Sequence, residues 1–206
     1  MSDASDLHMP SSCHGNAGVC LVLGGARSGK SLFAERQIEA TGLSACYIAT
    51  AEARDAEMAE RIRQHRRRRG DVWTTVEEPL YLADALDNAT SPGSAVLVDC
   101  LTIWLANVMA AGHSPERDID GLLHVLGKAA GQVVLVSNEV GMGIVPENAL
   151  ARRFRDEAGT MHQRIGAIAG RVIFVTAGLP LVLKGPPPDI PTQTAEPEGK
   201  GQGTHR

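Results

Sequence analysis

Short apolar runs and longer amphipathic stretches alternate along the chain. The apolar runs are typical of buried parallel strands and occupy 19–23, 45–51, 72–77, 95–99, 132–137 and 171–176. Apolar residues three and four positions apart predict helices at 31–39, 55–65, 79–87, 101–111, 115–130 and 149–169. Because strands alternate with helices, we expect one α/β domain: a doubly wound, mostly parallel sheet with helices on both faces.

The two ends of the chain lack this alternation. Residues 1–17 and 185–206 have no periodicity, and we expect a disordered N-terminal extension and a disordered C-terminal tail. The domain is therefore predicted to span residues 18–184, and residues 179–183 either extend the last strand or turn back along its edge. One face of the last long helix is predicted to pack on the core, and it comprises Leu150, Phe154, Ala158, Met161, Ile165 and Ile168. His162 on the same helix is predicted to be a structural residue.

The turn between the first predicted strand and the first predicted helix fits the P-loop pattern G-x-x-x-x-G-K-[ST]. It consists of Gly24, Gly25, Ala26, Arg27, Ser28, Gly29, Lys30 and Ser31. Backbone N–H groups of such a loop and the positive end of the following helix dipole favour a polyanion. Lys30 adds a positive charge for the β- and γ-phosphates of a nucleotide, and Ser31 offers a hydroxyl to Mg²⁺.

Asp99 ends the apolar run 95–99 and resembles the carboxylate of a Walker B segment, which holds Mg²⁺ directly or through water. The alternative is a helix N-cap or a turn residue. With a P-loop upstream, we favour the metal role, so Mg²⁺ is the expected cofactor, with Ser31 and Asp99 as its protein ligands.

Composition narrows the class of protein further. The 206 residues carry a net charge of −4 and only 3% aromatic residues, which gives no general attraction to nucleic acid. The four cysteines show no C-x-x-C spacing, and they are Cys13, Cys20, Cys46 and Cys100. Three of them fall in or beside apolar runs, so we expect buried free thiols and a cytoplasmic protein. No apolar stretch reaches the length of a membrane span.

Three further stretches occur in a characteristic order with the P-loop: Tyr-Ile-Ala-Thr at 47–50, Arg-Ile-Arg-Gln-His-Arg at 61–66, and Asn-Glu-Val-Gly-Met-Gly-Ile-Val-Pro-Glu at 138–147. Together they make the chain resemble the bifunctional adenosylcobinamide kinase/adenosylcobinamide-phosphate guanylyltransferase family of cobalamin biosynthesis. The resemblance covers about residues 19–184.

The resemblance implies two reactions. The first phosphorylates the aminopropanol hydroxyl of adenosylcobinamide with ATP or GTP, and the second transfers GMP from GTP to that phosphate through a covalent histidine. The resemblance assigns the histidine to His65 and also implies a homotrimer. Besides the P-loop, it places nucleotide contacts at Ala49, Thr50, Ala51, Arg66, Arg67, Arg68, Arg69, Glu77 and Asp99.

The chemistry of His65 agrees with such a role. A neutral imidazole is a good nucleophile towards an α-phosphate, and the four arginines that follow it disfavour the protonated ring. From the residues alone, a histidine at a helix end is more often a packing or capping residue. The carboxylate that orients the cobinamide hydroxyl stays open among Glu77, Asp99 and Glu139.

Two rival functions remain open at this point. One is a P-loop kinase for a small molecule without guanylyl transfer. The other is a nucleic-acid-binding ATPase that uses the arginine-rich stripe 61–69, against which the acidic net charge and the few aromatic residues argue.

Overall fold

A computed structural model describes residues 16–51 and 73–188. Its strands are β1 Asn16–Gly24, β2 Ser44–Ala49, β3 Trp73–Glu77, β4 Ser94–Asp99, β5 Gln132–Asn138, β6 Ala169–Thr176 and β7 Leu179–Lys184. Its helices are α1 Lys30–Glu39, α2 Leu82–Ala89, α3 Leu101–Ala110, α4 Pro115–Lys128 and α5 Ala149–Ile168. The predicted helix 55–65 lies outside the described residues.

The strands form one sheet in the order β3-β2-β4-β5-β1-β6-β7. All neighbouring pairs are parallel except β6 and β7, which are antiparallel. The predicted doubly wound, mostly parallel sheet is therefore confirmed, and β7 turns back along the edge. In this order β5 lies between the strand that leads into the P-loop and the strand that ends at Asp99.

Two apolar layers cover the two faces of the sheet. On one face α1 packs through Phe33, Ala34 and Ile38 against alternate strand residues such as Leu97 and Val136. On the opposite face α2, α3, α4 and α5 pack on the intervening strand residues. We call the first the α1 face and the second the α5 face. Because side chains alternate along a strand, every residue near a strand end can be assigned to one of these faces.

The sheet begins earlier than the sequence predicts. Asn16 and Ala17 belong to β1, although the expected N-terminal extension included them. The Asn16 Nδ2 atom donates hydrogen bonds to the carbonyl oxygens of Leu126 (3.0 Å) and Ala129 (3.1 Å) at the end of α4. These bonds satisfy helix carbonyls that lack partners and attach the start of β1 to the domain. Residues 1–15 lie outside the described part of the chain.

The predicted helix start at Pro79 is wrong, because α2 begins at Leu82. The Glu78 Oε1 atom accepts hydrogen bonds from the backbone N–H groups of Leu80 (2.9 Å) and Tyr81 (2.8 Å). These bonds hold a turn between β3 and the helix, so the backbone after Pro79 is not yet helical.

The apolar face of α5 is also shorter than predicted. Leu150 is 65% exposed, whereas Ala158, Met161 and Ile165 are buried. His162 is buried and its Nε2 atom lies 2.7 Å from Ser137 Oγ, which agrees with a structural histidine. The first turn of α5 therefore projects beyond the core.

Cys20 and Cys100 are buried free thiols as predicted, while Cys46 is half-buried and Cys13 lies outside the described residues. Burial raises the pKa of Cys20 to about 11. Among the helices that the structure describes, none has the length and apolarity to cross a membrane.

Candidate active site at the carboxyl edge of the sheet

The predicted P-loop joins β1 to α1 at the carboxyl edge of the sheet. Gly29 adopts φ 95° directly before the first helical residue, and Arg27 also has a positive φ of 55°. Lys30 begins α1, is largely buried, and donates from Nζ to the carbonyl oxygen of Gly25 at 3.1 Å. The ammonium group is thus folded back over the loop that precedes it.

Neighbouring strands hold the loop from both sides. The Gly24 carbonyl oxygen accepts from Glu139 N at 3.0 Å, and the Ser28 carbonyl oxygen accepts from Gly178 N at 2.9 Å. A Cβ atom at Gly24 would lie 2.4 Å from the carbonyl oxygen of Val175. Only glycine fits there, so the close approach of β1 and β6 requires the first glycine of the motif.

The start of α1 has the features of an anion site. Its first turn contains no acidic residue, and the N–H groups of a helix start carry partial positive charge. The Ser28 side chain is 9% exposed, and its Oγ atom has no hydrogen-bond partner in the described part of the chain. A buried hydroxyl without a partner is costly, and phosphate oxygens would satisfy it.

Asp99 ends β4 on the α1 face, since Ala95 and Leu97 of the same strand contribute to that layer. Its Oδ2 atom accepts a hydrogen bond from the Tyr47 hydroxyl at 3.2 Å. The strand register aligns Ala49 of β2 with both Asp99 of β4 and Glu77 of β3. Glu77, Tyr47 and Asp99 therefore form a polar row on one face at the edge that carries the P-loop.

The exit of β2 is held rigidly. Thr50 Oγ1 donates to the Cys100 carbonyl oxygen and accepts from Cys100 N, both at 2.8 Å. Asn107 Nδ2 donates to the Thr50 carbonyl oxygen at 2.9 Å. Of the predicted nucleotide contacts at 49–51, Ala49 and Thr50 are buried and Ala51 is half-buried.

The pKa of the Cys100 thiol, which directly follows Asp99, is affected by charges from both β4 and α1. Burial raises the pKa of Cys100, the Asp99 carboxylate raises it further, and the Lys30 ammonium group lowers it. The cation at the start of α1 thus acts on the same strand end that carries Asp99.

Three carboxylates are candidates for orienting the cobinamide hydroxyl, and Glu139 has different surroundings from Glu77 and Asp99. Its Oε1 atom accepts from Gly141 N, and its charge favours the protonated form of His162 on α5. Glu77 and Asp99 instead lie on the α1 face with Lys30. His65 and Arg66, Arg67, Arg68 and Arg69 lie outside the described residues.

The comparisons with known proteins decide the family. The family model described as "Cobinamide kinase / cobinamide phosphate guanyltransferase" matches residues 20–183. The chain belongs to this family. The bifunctional adenosylcobalamin biosynthesis protein CobP of Pseudomonas aeruginosa is 52% identical over 171 residues, which cover 81% of this chain and 98% of the relative. The corresponding protein CobU of Salmonella typhimurium is 41% identical over 181 residues, covering 81% of this chain and 99% of the relative.

A solved structure from Pyrococcus horikoshii, titled as a structural study of PH0250, superposes with a TM-score of 0.50 at 10% identity. It covers 85% of this chain and 90% of its own. A likeness at this identity concerns the fold alone, and it agrees with the α/β sheet described above.

The residues present fit the Mg²⁺ that the P-loop sequence predicts. Ser31 supplies a hydroxyl at the start of α1, and Asp99 supplies a carboxylate that Tyr47 already orients. The described residues contain no group of three or more His, Cys, Asp or Glu side chains able to hold a metal. Mg²⁺ in phosphotransfer sites is commonly held by one or two carboxylates together with substrate phosphates, so two protein oxygens are a suitable donor set.

Several polar residues of this edge were missed by the sequence reasoning. Tyr47 positions Asp99, while Asn138 at the end of β5 donates a hydrogen bond to Thr102 at the start of α3. Asn138 stands at the end of an apolar strand and opens the family motif at 138–147, which was the available signal. Tyr47 opens the family stretch 47–50, but nothing local indicated its bond to Asp99, and Thr102 gave no local signal, because the partners of both residues are distant in the sequence.

Proposed function

We propose that this member of the cobinamide kinase family phosphorylates the aminopropanol hydroxyl of adenosylcobinamide with ATP or GTP. It then transfers GMP from GTP to the new phosphate and releases adenosylcobinamide-GDP and pyrophosphate. The observation that carries the proposal is the placement of Lys30 and Asp99 on one face of the sheet at one edge, beside a glycine loop that opens a helix.

In the phosphorylation step the chain mainly binds and orients. The P-loop N–H groups and Lys30 hold the β- and γ-phosphates and offset the charge that develops on them. Ser31 and Asp99 would hold Mg²⁺, which neutralises phosphate charge when bound. Because Tyr47 donates to one oxygen of Asp99, it leaves the other carboxylate oxygen for this role.

The guanylyl transfer is proposed to pass through His65. Its imidazole nitrogen attacks the α-phosphorus of GTP, a P–N bond forms, and pyrophosphate leaves with the bonding electrons. The cobinamide phosphate oxygen then displaces the imidazole. Arg66, Arg67, Arg68 and Arg69 are proposed to favour the neutral ring and to bind phosphate oxygens.

Covalent labelling tests this half directly. The protein is incubated with GTP labelled with ³²P at the α-phosphorus and with Mg²⁺, and then denatured. We expect label on the wild type that acid removes and base does not, no label on His65→Ala, and full label on His124→Ala. His124 is the matched control because it is exposed on α4, away from the carboxyl edge.

The absence of label on wild-type protein would contradict the guanylylated histidine. If adenosylcobinamide were still phosphorylated, the chain would be the P-loop kinase without guanylyl transfer. The homotrimer that the resemblance implies and the cytoplasmic location expected from the cysteines stay predictions, and size-exclusion chromatography with light scattering measures the first.

A further inference from the structure

Asn138 lies between the P-loop and the strand end that carries Asp99. It ends β5, which lies between β1 and β4, and its register partner on β1 is Gly24. Val134 and Val136 of β5 belong to the α1 face, so alternation along the strand assigns Asn138 to that face. Asp99 ends the neighbouring strand β4 on the same face, and Lys30 begins α1, the helix that covers this face and follows the loop after β1. Asn138 therefore stands between the P-loop and the Walker B carboxylate.

The amide group of Asn138 is held from one side only. Its Nδ2 atom donates to Thr102 Oγ1 at 3.0 Å and makes a long contact to Cys100 Sγ at 3.9 Å. The backbone N–H of Asn138 donates to the same Thr102 oxygen at 3.5 Å. Both Thr102 and Cys100 are buried, so these bonds set the plane of the amide.

The other end of the amide is left for a ligand. Within residues 16–51 and 73–188, no hydrogen bond reaches Asn138 Oδ1, and the side chain is half-buried rather than covered. An amide oxygen accepts hydrogen bonds and carries no proton of its own. Such an oxygen, fixed in direction beside a phosphate site, suits a hydroxyl donor.

We propose that Asn138 is a further catalytic residue of the kinase reaction and that its Oδ1 atom accepts a hydrogen bond from the alcohol that receives the phosphoryl group. This inference rests on the proposed function. The bond directs an oxygen lone pair of the alcohol towards the γ-phosphorus, in line with the leaving group. The alcohol oxygen forms the new bond to phosphorus, the bond from phosphorus to the β,γ-bridging oxygen breaks, and its electron pair leaves with the nucleoside diphosphate.

The amide orients the alcohol and takes no proton, because a neutral amide is not basic; the hydroxyl proton is released to solvent. Positioning of this kind lowers the barrier mainly through entropy. The guanylylation of the protein by GTP involves no alcohol, so the proposed contact contributes nothing to it. Measuring corrinoid phosphorylation and protein guanylylation separately therefore distinguishes this role from a general role in folding or nucleotide binding.

The test compares Asn138→Ala, Asn138→Asp and Asn88→Ala with the wild type. Asn88 lies exposed on α2 and is the matched control. For Asn138→Ala we expect kcat of adenosylcobinamide phosphorylation to fall about 10- to 100-fold, as misplacement of a reacting group does. The KM for ATP and the α-³²P-GMP label on the protein should stay within about threefold of the wild type, and Asn88→Ala should match the wild type in every measurement.

Asn138→Asp keeps an acceptor oxygen at the same place and should retain more kinase activity than Asn138→Ala. An unchanged kcat in Asn138→Ala would overturn the inference. So would an equal loss of phosphorylation and of GMP labelling in both variants, because that result indicates a structural role. Failure of the wild type to phosphorylate adenosylcobinamide would instead count against the proposed function.

Discussion

The Nζ atom of Lys30 lies 3.1 Å from the carbonyl oxygen of Gly25, five residues earlier in the same loop. The side chain is largely buried, so its charge is directed at the loop rather than at bulk solvent. A phosphate oxygen is a stronger acceptor than a peptide carbonyl, because it carries negative charge. When a triphosphate enters the loop, the Lys30 ammonium group can therefore exchange its bond to the Gly25 carbonyl oxygen for a bond to a phosphate oxygen.

Replacement of Lys30 by methionine should disable the kinase step without unfolding the chain. We expect kcat/KM for adenosylcobinamide phosphorylation to fall about 100- to 1000-fold, the range found when one preorganised donor to a transition state is removed. Lys128→Met is the control, since Lys128 pairs with Asp87 on the surface of α4 and α2. Equal activities of the two variants would contradict the role of Lys30.

The first glycine of the loop should matter for stability before any ligand binds. A Cβ atom at Gly24 would lie 2.4 Å from the Val175 carbonyl oxygen and 2.6 Å from Ser28 Oγ, whereas a Cβ atom at Gly25 would contact nothing within 4 Å. Gly24→Ala should lower the free energy of unfolding by about 1–3 kcal/mol, as overpacking does. Gly25→Ala should change it by less than about 0.5 kcal/mol.

Urea denaturation with unchanged m-values measures this difference. A Gly24→Ala variant as stable as Gly25→Ala would show that β1 and β6 can separate at the loop, contrary to the packing described here.

Replacing Asp99 should reduce kinase activity more than replacing Tyr47, although both changes affect the same proposed Mg²⁺ site. Asp99→Asn removes the charge proposed to hold Mg²⁺, and Tyr47→Phe removes a hydrogen bond that orients the Asp99 carboxylate. We expect Tyr47→Phe to cost about 10- to 100-fold in activity or Mg²⁺ affinity and Asp99→Asn to cost more, as for ligands and the residues that orient them.

The measurement is kinase activity titrated with Mg²⁺, with Asp84→Asn on the exposed side of α2 as the control. If Asp99→Asn needs no more Mg²⁺ than the control, Asp99 is not a metal ligand. The alternative of a helix N-cap is excluded, because Cys100 is the N-cap of α3, so Asp99 would then only accept the hydrogen bond from Tyr47 at the end of β4.

His162 should make stability depend on pH below neutrality. Burial lowers the pKa of His162, and the Glu139 carboxylate opposes that shift only in part. The unfolded chain therefore binds the proton more readily than the folded one. The stabilisation is complete above the unfolded pKa of about 6.5 and is lost as the pH falls through the lowered folded pKa.

Between pH 7 and 5 the free energy of unfolding should fall by at most about 1.4 kcal/mol per pH unit from this group. His162→Gln keeps a partner for Ser137 and should flatten the slope, whereas His124→Gln on the exposed side of α4 should not. Identical slopes in both variants would assign the pH dependence to other groups.

The fold was predictable because local signals agreed. Apolar runs marked the strands, and the glycine pattern marked the turn from β1 to α1. The start of α2 was not predictable from Pro79, because the Glu78 carboxylate holds a turn that only the folded backbone shows. Leu150 fits the helical period of α5 but lies beyond the sheet that would cover it.

The site was predictable only where its residues follow one another in the chain. The loop 24–31 and Asp99 could be recognised from local patterns. The hydrogen bond between Tyr47 and Asp99 joins residues 52 positions apart, and that between Asn138 and Thr102 joins residues 36 apart. Such contacts depend on strand order and register, which no local spacing encodes.

Product analysis by mass spectrometry tests the central claim most directly. The protein is supplied with adenosylcobinamide and ATP, and GTP is added afterwards. We expect adenosylcobinamide phosphate with ATP alone, adenosylcobinamide-GDP after GTP, arrest at the phosphate in His65→Ala, and loss of the first product in Lys30→Met. No phosphorylated corrinoid from the wild type, or adenosylcobinamide-GDP formed by His65→Ala at the wild-type rate, would contradict the central claim.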